Sequence, residues 1–209
     1  MIKKNINNNK IIGLTGPSGS GKTEVTKIIS KLNPEILIIN LDKISHDLLK
    51  NNLELKNKII KNFSNKILDN KNNIINIDRK KLGEIVFSNK QKLDLLNNII
   101  FSYIIKKVFD IISVYKNKII LLDAPTLIQS KLYKICNKII VVTADKKIRL
   151  ERIINRDKIL LDQAIFRLDN QLPDKEYFKI ADFVINNNTN FFELKKNIVI
   201  ILKKLLEDF

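Results

Sequence analysis

One stretch decides the fold: residues 10–23 read KIIGLTGPSGSGKT. A short apolar run leads into the pattern G-x-x-x-x-G-K-T, from Gly16 to Thr23, and a helical pattern of apolar residues follows at once. This order of strand, glycine-rich loop and helix is typical of a phosphate-binding loop, the P-loop. Glycines let the backbone curl closely around an anion, so that N–H groups of the loop and of the helix N-terminus point at it. The stretch therefore predicts a site for a nucleotide's phosphate chain.

The polar groups of this loop have distinct expected roles. We expect Lys22 to reach the β- and γ-phosphates as a point charge, and the Thr23 hydroxyl to ligate Mg²⁺. The other expected phosphate contacts are those of Gly16, Ser18, Gly19, Ser20 and Gly21. Pro17 has no N–H, but it precedes the donors nearest Lys22. The alternative is a chance Gly/Ser turn, which the complete pattern in its strand–helix context disfavours.

Composition limits the class of protein. The chain has 209 residues, of which 44% are hydrophobic, a length that suits one domain or one domain with an insertion. Its single cysteine, Cys136, excludes a disulfide framework. Residues 1–5 read MIKKN, which is unlike a signal peptide, and no apolar run is long enough to cross a bilayer. We therefore expect a cytoplasmic protein without a membrane partner.

The net charge of +16 leaves two interpretations open. A strongly basic chain can indicate a nucleic-acid partner. However, Lys, Asn and Ile dominate the sequence together, and all three have AT-rich codons, so mutational bias can also produce the charge. The lysines are spread over most of the predicted helices rather than concentrated in one stripe, which is unlike a nucleic-acid groove. We favour mutational bias as the cause of the positive charge and expect no nucleic-acid partner.

Apolar runs and helical periodicity alternate along the chain. The predicted strands are 11–15, 36–39, 119–123, 138–143 and 183–185. The predicted helices between and after them are 22–32, 145–157, 161–171, 174–180 and 190–207. Residues 42–116 read as mostly helical, with a turn at 70–73 in a small hairpin and a helix that Asp78 caps. This alternation predicts a doubly wound parallel α/β sheet with a helical insertion.

Two carboxylates follow predicted strands. Asp123 ends the strand 119–123, where it is expected to hold Mg²⁺ together with Thr23. Asp42 comes just after the strand 36–39, where it could take the proton of an acceptor hydroxyl. The alternative for Asp42 is an N-cap of a helix that begins at Lys43. Position alone does not decide between these two roles.

Arginine is scarce in this lysine-rich chain, so each arginine is informative. Its planar guanidinium matches phosphate oxygens in a way that lysine does not. The arginines considered are Arg79, Arg149, Arg152, Arg156 and Arg167. Arg152 and Arg156 share a helix face and are expected to close over the transferring phosphoryl group, with solvated helix charges as the alternative. His46 is expected on the substrate side or on a helix surface, and neither it nor Cys136 suggests a metal site.

Several motifs in a fixed order resemble the dephospho-CoA kinase family across nearly the whole chain. Besides Gly13–Gly16 and the P-loop, they are NLDKISH (40–46), DRKKLGEIVF (78–87), LDLLNNI (93–99), DAPTL (123–127), RIINRD (152–157), RLDNQLP with Lys175 (167–175) and ADFVIN (181–186). The P-loop occurs in many families, whereas this ordered set is specific.

The resemblance implies Mg²⁺- and ATP-dependent phosphorylation of the 3′-hydroxyl of dephospho-CoA. It implies a P-loop kinase three-layer sandwich: a five-stranded parallel sheet with helices on both faces, in one domain over residues 1–209. The implied parts are a core (10–42, 117–144 and 181–209), a CoA-binding helical insertion (about 43–116) and a lid (about 145–175). Implied substrate-binding residues are Asn40, Asp42, His46, Arg79 and Leu82, and Arg156 is also implied in binding ATP. A monomer or weak homo-oligomer is expected.

Three departures from the family's pattern fall on the acceptor side. Asn40 stands where the family has its first carboxylate after the second strand. Any base role then falls to Asp42, or catalysis rests on positioning and charge alone. Phe101-Ser102 replaces His-Pro, and Gln129 replaces Glu. Three alternatives therefore remain: another nucleoside or nucleotide kinase of the same fold, a basic nucleic-acid-binding P-loop protein, and an inactive relative.

Overall fold

The computed structural model describes residues 8–68, 76–87 and 89–209. Within these ranges, five strands form one sheet in which every neighbouring pair is parallel. They are β1 (Lys10–Thr15), β2 (Leu37–Asn40), β3 (Ile119–Asp123), β4 (Lys138–Thr143) and β5 (Phe183–Asn186), in the order β2-β3-β1-β4-β5 across the sheet. The predicted five-stranded parallel sheet is therefore confirmed.

Helices connect the strands, as the alternating pattern predicts. Helix α1 (Lys22–Leu32) follows β1 directly after the P-loop. Between β2 and β3 lie α2 (Leu41–Asn51), α3 (Leu53–Phe63), α4 (Arg79–Phe87) and α5 (Lys90–Val114). Between β4 and β5 lie α6 (Lys146–Asp157), α7 (Leu161–Asp169) and α8 (Asp174–Phe178), and α9 (Phe191–Glu207) follows β5. Among the described residues, no helix is both long enough and apolar enough to cross a membrane.

Both faces of the sheet are covered, because its strands are apolar on both sides. One face packs against α1 and α9 in a cluster that includes Ile12, Leu14, Val25, Leu194 and Ile198. The alternate residues Ile11, Ile120 and Val141, which face the other way, are fully buried as well. Parallel sheets with both faces buried have such continuous apolar strands. The predicted three-layer α/β architecture is thus the one observed.

The chain divides into two compact units, which we call the core unit and the helical unit. The core unit consists of Met1–Asn40 and Ile112–Phe209, and the helical unit of Leu41–Ile111. The helical unit has its own apolar cluster, formed by Leu55, Ile59, Phe63, Ile67, Leu82, Val86, Leu96 and Ile99. Its α4 is capped by Asp78, whose Oδ1 accepts the N–H groups of Lys80 and Lys81 at 2.9 and 3.2 Å. This cap is as predicted, whereas a CoA-binding role for the unit stays a prediction.

The second strand and the helix after it differ from the sequence prediction. β2 begins at Leu37 and ends at Asn40, because Asn40 pairs in register with Asp123 of β3. Helix α2 then begins at once, at Leu41. Asp42 is therefore the second residue of α2, and the alternative that it is the N-cap of a helix beginning at Lys43 is wrong. A carboxylate in the first turn still interacts favourably with the positive end of the helix dipole.

Smaller differences concern helix ends and the predicted hairpin. Helix α7 ends at Asp169 and α8 at Phe178, each two residues before its predicted end. The predicted turn at 70–73 lies outside the described residues. An antiparallel bridge between Leu68 and Ile77 joins the segments on either side of it.

Candidate active site

The P-loop has a backbone conformation that its glycines permit. Gly16, Gly19 and Gly21 have φ values of 144°, 78° and 94°, in the range that L side chains rarely adopt. At Gly16 there is also no space, because a Cβ would collide with the carbonyl oxygen of Val142 on β4. The glycine pattern seen in the sequence thus reflects both backbone angles and close contact with the neighbouring strand.

The N-terminus of α1 presents backbone donors. Gly21 is its N-cap and makes no side-chain cap, while the carbonyl of Gly21 accepts the N–H groups of Glu24 and Val25 at 3.0 and 3.2 Å. Nothing in the described parts of the chain accepts the N–H of Thr23. An uncapped helix N-terminus has N–H groups and a dipole that favour an anion. The geometry therefore suits a phosphate group at this position.

Two side chains of the loop carry further donors. The Nζ of Lys22 donates to the carbonyl oxygens of Gly16 at 2.7 Å and Pro17 at 3.4 Å, which holds the ammonium against the loop. The Oγ of Ser20 is buried and finds no hydrogen-bond partner among the described residues. Because a buried hydroxyl without a partner costs free energy, an oxygen-rich ligand at this loop would relieve that cost.

Asp123 lies at the carboxyl edge of the sheet, between β1 and β2. The register places it opposite Leu14 on one side and Asn40 on the other. It is only 5% exposed, and its Oδ2 accepts from Asn40 Nδ2 at 2.9 Å. The same oxygen lies 3.1 Å from Oγ1 of Thr26 on α1, a hydroxyl that is also 3.1 Å from the carbonyl of Lys22. Thr26 therefore links the buried carboxylate to the first turn of α1.

The donor set at Asp123 fits Mg²⁺. Its Oδ2 is occupied, whereas its Oδ1 makes no hydrogen bond within the described ranges. Mg²⁺ prefers carboxylate and hydroxyl oxygens and keeps water and substrate phosphates as its other ligands. The described residues contain no cluster of three or more His, Cys, Asp or Glu that could hold a metal ion. Thr23, the second predicted ligand, is exposed in the first turn of α1.

Arg152 of α6 lies against the back of the P-loop. Its Nη1 donates to the carbonyl oxygens of Gly19 and Ser20 at 3.3 and 3.4 Å, and its Nη2 donates to the carbonyl of Asn187 at 3.0 Å. Asn187 is 5% exposed, and its Nδ2 donates to the carbonyl of Ser20 at 2.8 Å. The structure thus places this arginine on loop carbonyls, whereas the sequence led us to expect it over the transferring group.

Arg156 is paired with the neighbouring carboxylate. Its Nε and Nη2 donate to the two oxygens of Asp157 at 2.7 and 2.8 Å, and Nη1 of Arg167 on α7 donates to the same group at 2.6 Å. These hydrogen bonds, with that to Arg156 foremost, lower the pKa of Asp157 and keep the carboxylate ionised to lower pH. Two guanidinium groups on one carboxylate leave a net positive cluster in the predicted lid.

Hydrogen bonds also join the helices of the predicted lid to one another and to the P-loop. Arg149, 8% exposed, makes a bidentate ion pair with Asp174 at 3.0 Å for both bonds, which joins α6 to α8. Oε1 of Gln171 accepts the P-loop N–H of Ser18 at 2.7 Å, and its Nε2 donates to the carbonyl of Arg167 at 2.9 Å. The segment after α7 is thus hydrogen-bonded directly to the P-loop.

The remaining predicted site residues belong to the helical unit. Asp42 and His46 are exposed on α2. Leu82 is 6% exposed within the apolar cluster of this unit, so its observed packing is that of a core residue. Arg79 begins α4, and its side chain lies outside the described part of the structure. Substrate contacts for these four residues stay predictions.

Sequence reasoning missed three polar residues at this site: Thr26, Gln171 and Asn187. Each reaches the P-loop or Asp123 from a distant part of the chain, apart from Thr26, which lies one helical turn after Lys22. Gln171 occurs within a motif that carries the family resemblance, and this could have identified it. Asn187 is one of three consecutive asparagines in an Asn-rich chain, and no local signal separates it from its neighbours.

The glycine-rich loop, the lysine against it and the buried carboxylate at the edge of a five-stranded parallel sheet define a P-loop kinase. Shikimate kinase from Acinetobacter baumannii has the same fold, with a TM-score of 0.52 and 14% identity over 97% of this chain and 96% of that one. A family model described as Dephospho-CoA kinase matches residues 10–193. The chain belongs to the dephospho-CoA kinase family, the kinases of the last step of coenzyme A biosynthesis.

Individual relatives agree with this assignment. A Dephospho-CoA kinase from Fusobacterium nucleatum is 42% identical over 188 residues, which are 90% of this chain and 94% of that protein. The solved structure of Dephospho-CoA kinase from Campylobacter jejuni is 32% identical and has a TM-score of 0.68. The match covers 94% of this chain and 97% of that structure's chain. The resemblance seen in the sequence motifs is therefore confirmed.

Proposed function

We propose that the chain transfers the γ-phosphoryl group of ATP to the 3′-hydroxyl of dephospho-CoA, giving coenzyme A and ADP. The bond from the γ-phosphorus to the bridging oxygen of ADP breaks, a bond to the 3′-oxygen forms, and the hydroxyl proton leaves. The observation that carries the proposal is the P-loop itself, with Lys22 against Gly16 and an uncapped α1 beyond it. Family membership supplies the identity of the acceptor.

The loop and α1 bind the phosphate chain in this proposal. Backbone N–H groups of the segment from Ser18 to Thr23 hold the oxygens, apart from those of Ser18 and Ser20, which donate to Gln171 and Pro17. Lys22 neutralises charge between the β- and γ-phosphates. Arg156, drawn from its pair with Asp157, closes over the group in transfer. Phosphoryl transfer demands little covalent chemistry from a protein, so positioning and charge stabilisation supply most of the rate.

Mg²⁺ would be held by Asp123 and Thr23 and would neutralise charge on the phosphate oxygens. Asn40 and Thr26 fix the orientation of the Asp123 carboxylate through Oδ2 and leave Oδ1 for the ion. An amide at position 40 donates a hydrogen bond to Asp123, whereas a carboxylate there would place a second negative charge 2.9 Å away.

The acceptor is expected to bind through the helical unit, by way of Asp42, His46, Arg79 and Leu82. Asp42 orients the 3′-hydroxyl or takes its proton. This role is compatible with an exposed carboxylate in the first turn of α2. The departures at Asn40, Phe101 and Gln129 make the acceptor the part of the function to test first.

A direct assay tests the proposal: ADP release from Mg·ATP with dephospho-CoA, coupled to pyruvate kinase and lactate dehydrogenase. Adenosine, AMP, CMP and shikimate serve as competing acceptors. We expect turnover with dephospho-CoA. Mass spectrometry should detect coenzyme A, which is heavier than dephospho-CoA by one phosphoryl group. No turnover with dephospho-CoA together with phosphorylation of a nucleoside monophosphate would instead assign another kinase of the same fold.

We also propose that the enzyme acts in the cytoplasm as a monomer or weak homo-oligomer, without a nucleic-acid partner. Sedimentation at micromolar concentration should give a mass near 24.3 kDa. The charge of +16 makes a control necessary, because a basic surface binds nucleic acid non-specifically in low salt. Binding to DNA or RNA that persists at physiological salt would overturn this part of the proposal.

A further inference from the structure

The peptide bonds of the P-loop are held from behind by two side chains. Asn187, buried in the loop after β5, donates from Nδ2 to the carbonyl of Ser20, and Arg152 donates to the carbonyls of Gly19 and Ser20. Asn187 is itself fixed, since its N–H donates to Thr143 at 2.8 Å and its carbonyl accepts from Arg152 at 3.0 Å. The two side chains and the loop therefore form one hydrogen-bonded group.

Holding a carbonyl fixes the N–H of the next residue. A trans peptide is planar, and its C=O and N–H point in opposite directions. The carbonyl of Ser20 shares its peptide plane with the N–H of Gly21, so the contact from Asn187 directs that N–H away from Asn187. In the same way, the contact of Arg152 with the Gly19 carbonyl directs the N–H of Ser20, which donates to Pro17 O at 3.3 Å.

The absence of a side chain at Gly21 is part of this arrangement. A Cβ at Gly21 would occupy the position of Asn187 Nδ2, and the φ of 94° is strained for other residues. Gly21 thus leaves the space in which the asparagine amide reaches the Ser20 carbonyl. The glycine before the P-loop lysine has two roles here: it accepts a positive φ, and it admits the hydrogen bond that orients its own N–H.

We propose that Asn187 and Arg152 are positioning residues that hold the P-loop turn in shape and orient the N–H of Gly21 toward the nucleotide's phosphate chain. Arg152 then acts through the loop rather than on the transferring group. The inference rests on the proposed function only in that the loop binds a nucleotide. It concerns ground-state binding, so it is tested with ADP and with inorganic pyrophosphate, neither of which has a group to transfer.

The main test is Asn187→Asp, which replaces the Nδ2 donor with an oxygen that faces the Ser20 carbonyl. The matched control is Asn186→Asp, the same change one residue earlier on an exposed side chain whose Oδ1 accepts from Asn188 N–H and keeps that role. Calorimetry with ADP and Mg²⁺ should give a Kd raised at least about tenfold for Asn187→Asp, because a buried hydrogen bond becomes a repulsion. The control should stay within about twofold of the unchanged protein.

Arg152→Lys is the second variant, and it decides the matter if Asn187→Asp does not fold. Lysine keeps the positive charge, but a single ammonium cannot span the carbonyls of Gly19, Ser20 and Asn187 as the planar fork does. We expect its Kd for ADP to rise about tenfold as well. Thermal unfolding of each variant shows whether the loss comes from the loop alone.

Binding of pyrophosphate, which has no adenine base, shows whether the variants weaken contacts with the phosphates or contacts with the base. It is measured by displacement of a fluorescent ADP analogue, and its affinity should fall by the same factor as that of ADP. Unchanged affinity for both ligands would overturn the proposal, and so would weaker ADP binding with unchanged pyrophosphate binding. If the unchanged protein binds neither ligand, the proposed function fails instead, and the two failures are distinguishable.

Discussion

Long-range hydrogen bonds hold the phosphate site of the core unit, whereas the described part of the helical unit is organised around one apolar cluster. In the core unit, Asn187 reaches Ser20 across 167 positions of sequence, and Gln171 reaches Ser18 across 153. In the helical unit, eight buried apolar side chains form the cluster around Ile59, and the candidate acceptor residues Asp42 and His46 lie exposed on α2. The phosphate site is thus built into the core unit by hydrogen bonds. Changes to the polar groups of the phosphate site should damage catalysis more than stability, and changes to the apolar cluster of the helical unit should damage stability or acceptor binding more than nucleotide binding.

The largest effect is expected from Lys22→Ala. Removal of the ammonium leaves charge on the β- and γ-phosphates uncompensated, so kcat/KM should fall by about a thousandfold, as measured by ADP release. The melting temperature should stay within about 3 °C, because Lys22 makes surface-accessible contacts rather than core contacts. Lys27→Ala, on the same helix and paired with Glu24 at 3.7 Å, is the control and should retain full activity. Retention of activity within tenfold by Lys22→Ala would contradict the role of the loop.

Asp42→Asn tests the helical unit's part in catalysis. If Asp42 takes the proton of the acceptor hydroxyl, kcat should fall by about a hundredfold while the Kd for ADP stays unchanged. Asp47→Asn, five residues later on the same helix and also exposed, is the matched control. A kcat within threefold of the unchanged enzyme would show that phosphoryl transfer here needs no base, and that positioning and charge are sufficient.

Leu82→Ala tests whether a loss of packing in the helical unit lowers the stability of the protein without weakening nucleotide binding in the core unit. Leu82 is 6% exposed in the apolar cluster, so its truncation should lower the free energy of unfolding by about 3 kcal/mol, measured by urea denaturation. The KM for dephospho-CoA should rise, and the Kd for ADP should not. Leu95→Ala, on α5 and 40% exposed, should cost less than about 1 kcal/mol. An equal loss of ADP affinity and acceptor affinity would show that nucleotide binding also depends on this cluster.

The smallest functional effect is expected at Cys136. Burial, with a smaller contribution from the charge of Asp182, raises the pKa of the Cys136 thiol to about 12. At pH 8 the native thiol is therefore almost entirely protonated, and iodoacetamide should react at least about a hundredfold more slowly with it than with the unfolded chain. Because the raised pKa favours the neutral thiol, its stabilising contribution is complete below the unfolded pKa near 9 and disappears as the pH rises toward 12. Rapid labelling of the folded protein at pH 8 would contradict this burial.

The sheet was predictable from sequence because its signals are local. Five continuous apolar runs gave the five strands, and the glycine pattern after the first gave the loop. The start of α2 was harder to predict. Asn40 belongs to β2 only because it pairs with Asp123, and α2 then begins without a loop before it. Local patterns record periodicity and caps, and they do not record which strand a residue will pair with.

The candidate site was predictable only in its P-loop and Asp123. Thr26, Gln171 and Asn187 contribute through hydrogen bonds that form after distant segments meet, and polar residues in an Asn- and Lys-rich chain carry no distinguishing pattern. Arg152 was singled out because it is an arginine in a lysine-rich chain, but its position on loop carbonyls follows from the contact of α6 with the P-loop. Its predicted place over the transferring group is the alternative that the ADP-binding experiment addresses, because ADP has no group to transfer.

The position of β1 in the sheet has a consequence for how the protein is made. β1 is synthesised first, yet its neighbours are β3 and β4, which follow more than 100 residues later. During translation the continuous helical unit, 41–111, is complete before β1 has any strand to pair with. The P-loop acquires its last buried contact only when Asn187 emerges, near the end of synthesis. Such non-local pairing slows folding. We therefore expect the nascent chain to gain nucleotide affinity late and abruptly, after the helical unit has already folded.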